Sequence, residues 1–299
     1  MLPFGSAGSN SVPQNSTMKI GRFEIELLSE GIFDVHKNGD LSKVDASEIT
    51  SNRRINDLPD ESNIVGIDPI LVRDQDHAIL LDTGLGWGLD AKSSYTETSN
   101  LHTNLSIFAL KPEDITHVVL SHVHFDHAAG SSYVDTNAST QPTMKNARYY
   151  VQKLEWLHAV QQVQNPYRKS GIGYNLDEMY KLYAEGYFEL LTTTYYELIP
   201  GITLIKTGGH SPGHQIVKIQ DDGQTAYYLG DLVPSEYHLN YYAMRLMDHD
   251  PIQSKKAKTL ILRQALKERA TILFYHSIHT KYGKLIQDEE RRYALAEVK

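Results

Sequence analysis

Three histidines and an aspartate fall within six residues of this chain, in the run Ser121-His122-Val123-His124-Phe125-Asp126-His127-Ala128-Ala129-Gly130. Imidazole nitrogens and carboxylate oxygens are good ligands for Zn²⁺ and similar divalent ions. In an extended segment His122 and His124 project to the same side. Asp126 and His127 lie where the chain must turn into the next helix. Such a turn can aim alternate residues at two neighbouring metals. A solvated histidine-rich loop would not need this density directly after a strand.

Further ligand candidates sit far away in sequence but in the same kind of place. Thr207-Gly208-Gly209-His210-Ser211-Pro212-Gly213-His214 is a tight turn that can present a histidine inward. Tyr228-Leu229-Gly230-Asp231 puts an acid at a strand end, and Phe274-Tyr275-His276-Ser277-Ile278-His279 follows another strand. Loops at one rim of a sheet gather residues from such distant points. Of the 14 histidines, His36, His77, His102, His117, His158 and His249 have no motif around them and read as surface or core residues. Gly84-Leu85-Gly86-Trp87-Gly88 has the spacing GxGxG, which is not a dinucleotide fingerprint.

The elements that must position these residues follow from hydrophobic spacing. Strands are expected over 19–28, 64–72, 78–81, 117–120, 203–206, 215–219, 225–229 and 271–274. Residues 37–62 are polar and read as loop. Helices are expected over 98–110, 152–164, 175–190 and 254–268, the last of them basic and amphipathic. An aromatic-bearing loop, 165–173, separates the second and third helices. Strands, helices, strands and a helix in that order suggest two sheet-and-helix halves in one layered α/β domain.

Composition narrows the choice. The 299 residues can bury a large core. Lys and Arg number 29 against 37 Asp and Glu, a formal charge of −8, the wrong sign for a general nucleic-acid binder. No apolar run reaches the ~18 residues of a membrane span, so no membrane partner is expected. Cysteine is absent, which excludes disulfides, iron–sulfur clusters and a cysteine nucleophile. That fits a reducing compartment, and a cytoplasmic location is expected. Residues 1–17 lack a basic start and an apolar core, and read as a disordered leader or expression remnant. The single domain is expected over 18–299, with a helical insert at about 152–190.

In that order Asp82, His122/His124/Asp126/His127, His210, Asp231 and His276 resemble the metallo-β-lactamase fold superfamily. The resemblance spans 18–299 and implies a four-layer αββα sandwich with two divalent ions at one edge. It assigns His122, His124 and His210 to the first ion and Asp126, His127 and His276 to the second, with Asp231 bridging them. Asp82 resembles the acid that supports the site from behind. His214 is then a hydrogen-bonding neighbour, and His276 is preferred to His279 because it follows the strand directly. Two such ions share a hydroxide and polarise a substrate oxygen, which is hydrolytic chemistry. Asp126 is a candidate proton shuttle. The N/O ligand set favours Zn²⁺, with Co²⁺, Mn²⁺ and Fe²⁺ as alternatives. Redox members of the superfamily carry an acid where His124 stands, so hydrolysis is favoured.

The runs Ser121–Gly130, Gly209–Gln215 and Gly230–Ser235 are most similar to the N-acyl homoserine lactonases, the quorum-quenching branch. The last run is shared with broader hydrolases, including organophosphate-cleaving ones. Some lactonases place a tyrosine three residues after the bridging Asp, where this chain has Pro234. Tyr237, His238, Tyr241 or Tyr242 could replace it, and Tyr237 and His238 are carried as catalytic candidates. The partner expected is a small molecule, an acyl lactone or similar ester. Other esters, thioesters or phosphotriesters form the alternative, and a non-catalytic metal-binding protein a third reading that the complete ligand set disfavours. Aromatic residues of the insert, with 237–247, could wall an apolar cleft for an acyl chain. Long apolar-aromatic stretches favour a homodimer.

Overall fold

The central strands are buried along most of their length, as strands covered on both faces are, and they sort into two large sheets packed face to face. The computed structural model describes residues 17–35, 41–44, 64–94, 99–165, 173–176, 179–245 and 247–296. The expected leader lies outside the described residues except for Thr17, as do His36, Tyr167 and Ile172. In chain order the strands are β1 Met18–Ile20, β2 Phe23–Leu27, β3 Gly31–Val35, β4 Leu41–Val44, β5 Ile64–Ile67, β6 Ile70–Arg73, β7 Ala78–Leu81, β8 His117–Val119, β9 Ser132–Val134 and β10 Thr140–Pro142. They continue as β11 Arg148–Gln152, β12 Phe188–Leu191, β13 Tyr195–Ile199, β14 Ile202–Lys206, β15 Gln215–Asp221, β16 Gln224–Tyr228, β17 Thr271–Leu273, β18 Tyr282–Gln287 and β19 Tyr293–Ala296. The helices are α1 Leu101–Ile107, α2 Phe125–Ala128, α3 Lys153–Gln164, α4 Met179–Ala184 and α5 Pro251–Lys267.

The first sheet has the order β1-β2-β6-β7-β8-β11-β12 and the second β13-β14-β15-β16-β17-β18-β19. Phe23, Ile25, Val72, Ile79 and Leu81 of the first sheet share one core with Leu204, Val217, Ile219, Tyr228 and Leu273 of the second. A second core lies on the other side of the first sheet, where Leu101, Leu105, Trp156 and Leu182 of α1, α3 and α4 meet Leu80, Val118 and Tyr149. A third holds Ala257, Leu262 and Ala265 of α5 against Ile216, Tyr227 and Ile272. The expected αββα layering is therefore present. Its central strands are parallel at β7-β8-β11-β12 and β16-β17. The chain leaves β7, β8, β16 and β17 directly into the stretches that carry the chemistry.

Several elements differ from the sequence expectation. The strand expected over 19–28 is a hairpin, because Gly21 adopts φ +55 and folds β1 back on β2. The strand expected over 64–72 is cut at Asp68-Pro69, and β5 joins a separate sheet with β3 and β4. The polar stretch 37–62 contains β4, an edge strand. The helix expected over 175–190 holds for Met179–Ala184, whereas Phe188–Leu191 is strand β12, parallel to β11. Four apolar-rich residues do not distinguish helix from strand; pairing with β11 decides it.

One buried acid in this frame gives a pH-dependent stability. Glu30 is buried and accepts a hydrogen bond from the Leu85 backbone N–H at 2.8 Å. Burial pushes its carboxyl up to about 8 against an ordinary 4.5. Between those values the unfolded chain has lost the proton while the folded chain keeps it. This group's contribution is therefore fully present below about 4.5 and is lost as pH rises to about 8. Thermal melts between pH 5 and pH 9 are expected to show that decline, of a few kcal/mol at ~1.4 kcal/mol per pH unit. Glu30→Gln should flatten it.

Candidate metal centre

Strand β8 ends where Asp82 reaches across from the end of β7. Asp82 Oδ1 accepts the Ser121 backbone N–H at 2.6 Å, and Oδ2 accepts the Ser121 hydroxyl at 2.6 Å. The same Oδ2 accepts from His127 Nδ1 at 2.8 Å and from the Tyr228 hydroxyl. Asp82 itself sits at φ +55, a left-handed conformation that Asp tolerates better than most residues. The turn after Ser121 then presents His122 and His124. Residue His124 begins α2, whose first turn carries Asp126 and His127.

The His210 turn is fixed from two sides. Gly209 has φ +92, and a Cβ there would meet the Ser254 nitrogen of α5 at 2.5 Å. At Gly213 a Cβ would meet the Glu155 nitrogen of α3 at 2.3 Å. Only glycines let this turn wedge between the two helices. Glu155 is buried and joins both ligand-bearing turns. Its Oε1 accepts Val123 N–H at 3.2 Å, and its Oε2 accepts the Ser211 hydroxyl at 2.6 Å and Gly213 N–H at 3.0 Å. Burial raises its carboxyl pKa despite these donors.

These supports bring together seven side chains. Ligand atoms of His122, His124 and His210 lie within 4.8 Å of one another, and so do those of Asp126, His127 and His276. In the first trio His122 Nε2 is 2.9 Å from His124 Nδ1, and His210 Nε2 is 3.2 Å from that same atom. In the second, His127 Nε2 is 3.1 Å from His276 Nε2, which is 3.5 Å from Asp126 Oδ2. Asp231 straddles the trios. Its Oδ2 faces His210 Nε2 at 3.3 Å, while its Oδ1 faces His127 and His276 Nε2 at 3.3 and 3.2 Å.

Second nitrogens settle which atoms face inward. His122 Nδ1 lies 3.0 Å from Ser121 Oγ, whose proton goes to Asp82, so the imidazole donates there. His127 donates from Nδ1 to Asp82, His210 to Asp248 Oδ1 at 3.0 Å, and His276 to the Gly66 carbonyl at 2.8 Å. Each of these four Nε2 atoms thus presents its lone pair to the cluster. His124 alone turns Nδ1 inward, with its ring against Tyr174.

Convergent lone pairs fit metal ions. Nitrogens bound to one ion at ~2.0–2.1 Å in tetrahedral geometry stand ~3.3 Å apart, close to the spacings here. Asp231 Oδ1 is buried with no hydrogen-bond partner, an orphan that a cation would satisfy. Electrostatics keep the first trio neutral, whereas the carboxylates around the second favour positive charge there, the charge a cation would supply. Burial and then neighbouring imidazoles hold His122 and His124 well below the ordinary histidine range. Burial alone would raise Asp231, but His276, His127 and His210 outweigh it and hold it well below the usual carboxylate range. Burial opposes charge on His127, yet Asp231, Asp126 and Asp82 raise it well above its ordinary value.

The remaining candidates fall elsewhere. His214 is buried, with Nδ1 2.7 Å from Thr207 Oγ1 and Nε2 accepting the Asp231 N–H at 3.1 Å. It positions Asp231, and burial lowers it to about 3. His279 is exposed, apart from the cluster. Tyr237 and His238 lie on a short turn, Glu236–His238, without a hydrogen bond to the cluster. His238 Nδ1 meets Ser235 Oγ at 2.8 Å, and burial lowers His238 to about 3. Pro234 is buried, and its carbonyl accepts the His276 N–H at 3.0 Å.

Two positioning residues had no motif to announce them. Asp248 accepts from His210, and Arg245 Nε donates to Asp248 Oδ2 at 3.1 Å. Arg245 Nη2 also donates to the Asp231 carbonyl at 2.6 Å. Asp248→Ala would free His210 to rotate. We expect metal affinity, measured by chelator competition, to fall roughly 10–100-fold, while the metal-free protein keeps its far-ultraviolet circular dichroism.

A two-sheet sandwich with helices on both outer faces and a histidine–aspartate cluster at one rim defines a class by architecture, the αββα sandwiches with a candidate metal site at the sheet edge. The sequence profile of the metallo-beta-lactamase superfamily matches residues 65–290, and the chain belongs to that superfamily. It is 30% identical over 194 residues to the N-acyl homoserine lactonase of Bacillus cereus, covering 63% of this chain and 66% of that one. A second N-acyl homoserine lactonase, from a Bacillus species, is 28% identical over 192 residues with the same coverage. These matches span just under two thirds of the relatives' own lengths. Among solved structures, a probable metal-dependent hydrolase from Staphylococcus aureus is 26% identical, with a TM-score of 0.70 over 94% of this chain and 99% of that one. The dizinc quorum-quenching lactonase AidC, solved with a product, shares the fold at 19% identity, with a TM-score of 0.68 over 95% of this chain and 97% of that one.

Proposed function

We propose that this protein is a dimetal hydrolase that opens the lactone ring of N-acyl homoserine lactones. The observation that carries the reading is Asp231, whose two oxygens face separate histidine-bearing trios. Lactonase relatives supply the substrate class. His122, His124 and His210 would hold one ion and Asp126, His127 and His276 the other, with Asp231 between them. Zn²⁺ suits these donors. When bound, the ions would acidify a water at neutral pH and polarise the substrate carbonyl.

The chain's own residues do the rest. Ring opening adds water across the ester C–O bond: oxygen joins the carbonyl carbon, the ring oxygen leaves, and a proton must reach it. Asp126 is half-buried beside His276 and can carry that proton. Tyr237 is 39% exposed, and its hydroxyl is the candidate donor to the substrate carbonyl. His238 is neutral at working pH and can contribute a hydrogen bond but not a charge. Residues 18–299 would form one catalytic domain, acting in the cytoplasm as a homodimer on a small-molecule ester.

Pro234 favours a second reading. A buried proline occupies the position where some lactonases carry a carbonyl-binding tyrosine. Relaxed use of other esters, thioesters or phosphotriesters would follow. A panel of kcat/KM values over these classes, with the metal-loaded protein, separates the two. The lactone reading requires acyl homoserine lactones to lead the panel; a leading phosphotriester or thioester would replace it with the second.

A further inference from the structure

Helix α5 commits one face to the core and leaves the other outside. Ser254, Ala257, Leu262 and Ala265 are buried. Ile252, Lys256, Leu260, Arg263 and Lys267 are exposed, at intervals of four, four, three and four residues. That spacing makes a single stripe along a helix. Ile252 and Leu260 are 54% and 64% exposed.

The stripe contains no carboxylate. Lys255, Lys256, Arg263 and Lys267 form no ion pair among the described residues. The acids at the helix ends are already engaged. Asp250 caps the helix by accepting the Gln253 N–H at 3.0 Å, and Glu268 takes Lys218 Nζ at 2.8 Å. Lys258 points inward and donates to the His238 and Tyr241 carbonyls. In a chain of formal charge −8, four unpaired cations on one helix are a segregated patch.

We propose that this outer face of α5 docks on an anionic lipid surface. Cations along the stripe attract charged headgroups, and Ile252 and Leu260 supply the apolar contact that a headgroup boundary accepts. A single-stranded nucleic acid would instead call for stacking aromatics, and the stripe has none; a duplex would use the cations but leave Ile252 and Leu260 without a contact. Among the described residues no helix is long and apolar enough to cross a membrane, which concerns spanning and not lying against one. The N-terminal end of the helix is tied to the turn that carries His210. Asp250 N–H donates to the Gly209 carbonyl at 2.8 Å and His249 N–H to the His210 carbonyl at 2.9 Å.

The test is flotation of the full chain with phosphatidylcholine vesicles, with and without phosphatidylglycerol. Binding is expected only with the anionic lipid, and added salt should weaken it. Lys256→Gln should lower the partition coefficient about fivefold. The triple variant Lys256→Glu, Arg263→Glu, Lys267→Glu should abolish binding with circular dichroism and hydrolytic rate unchanged. Leu260→Ala should weaken binding while leaving its salt dependence intact. Failure to float with anionic vesicles at low salt overturns the proposal. So does a folded triple variant that floats like the parent, or a parent that retains only DNA.

Discussion

Replacing His122 with alanine is expected to lower hydrolytic turnover by on the order of 10³-fold or more and to reduce the metal content of the purified protein. His122 is fully buried, and its Nε2 meets the inward nitrogen of His124 at 2.9 Å. Its Nδ1 proton is already committed to Ser121, so the ring is held in one tautomer and one orientation. Removing it leaves His124 and His210 as the remaining members of the first trio. Two neutral imidazoles bind a cation far less firmly than three. Metal analysis beside a rate measurement checks this. A variant that keeps its full metal content and its rate would refute the assignment of the first trio.

The second large effect is on stability. Asp82→Ala is expected to destabilise the metal-free protein by about 3–5 kcal/mol. Four donors converge on this buried carboxylate: the Ser121 N–H and hydroxyl, His127 Nδ1 and the Tyr228 hydroxyl. Without it they stay buried and unpaired, at ~1–3 kcal/mol each before relaxation. Alanine would also have to adopt φ +55, where Asp is the more tolerant residue. Urea unfolding of apo protein measures the loss without a contribution from bound ions. A change below about 1 kcal/mol would mean that water or repacking satisfies the donors. Asp82→Asn should cost less stability, because the amide oxygen can keep the three donors at the Oδ2 position and the amide N–H would face only the Ser121 backbone N–H.

The side chains that converge at the cluster are legible in sequence because most of them come in compact runs. His122 to His127 is a contiguous signal, and the His210 turn announces itself through its glycines and proline. Asp231 and His276 are single residues, legible because each follows a strand. Asp248 and Glu155 carry no such mark. Asp248 stands 38 residues from the histidine it orients, and Glu155 stands 56 residues from Ser211. An acid on an otherwise ordinary helix gains its meaning only when the fold brings the His122 and His210 turns against it. Arg245 is similar: its two roles, on Asp248 and on the Asp231 carbonyl, are contacts and not spacings.

The fold shows the same division. The strand over 78–81 is a continuous apolar run and the helix over 152–164 has helical spacing, and the structure agrees with both closely. Asp68-Pro69 was the available sign that 64–72 could not remain one strand. The outer strand β19 lacks the alternation that a half-buried strand writes into sequence, being half-buried throughout, while β13 does alternate but hides it by placing a tyrosine on its exposed side at Tyr195 and on its covered side at Tyr196. They exist because β14 and β18 offer them an edge. The basic helix over 254–268 was legible as a pattern, but its outward direction is known only from which residues the core covers.

The measurement that tests the central claim most directly is proton release on adding N-hexanoyl homoserine lactone to the metal-loaded protein, followed at constant pH, with a chelated sample beside it. Opening each lactone yields a hydroxy acid and one proton. The account predicts stoichiometric acid release that the chelator abolishes and that returns when metal is restored. No release above the uncatalysed rate, with metal confirmed in the protein, would contradict the lactonase reading.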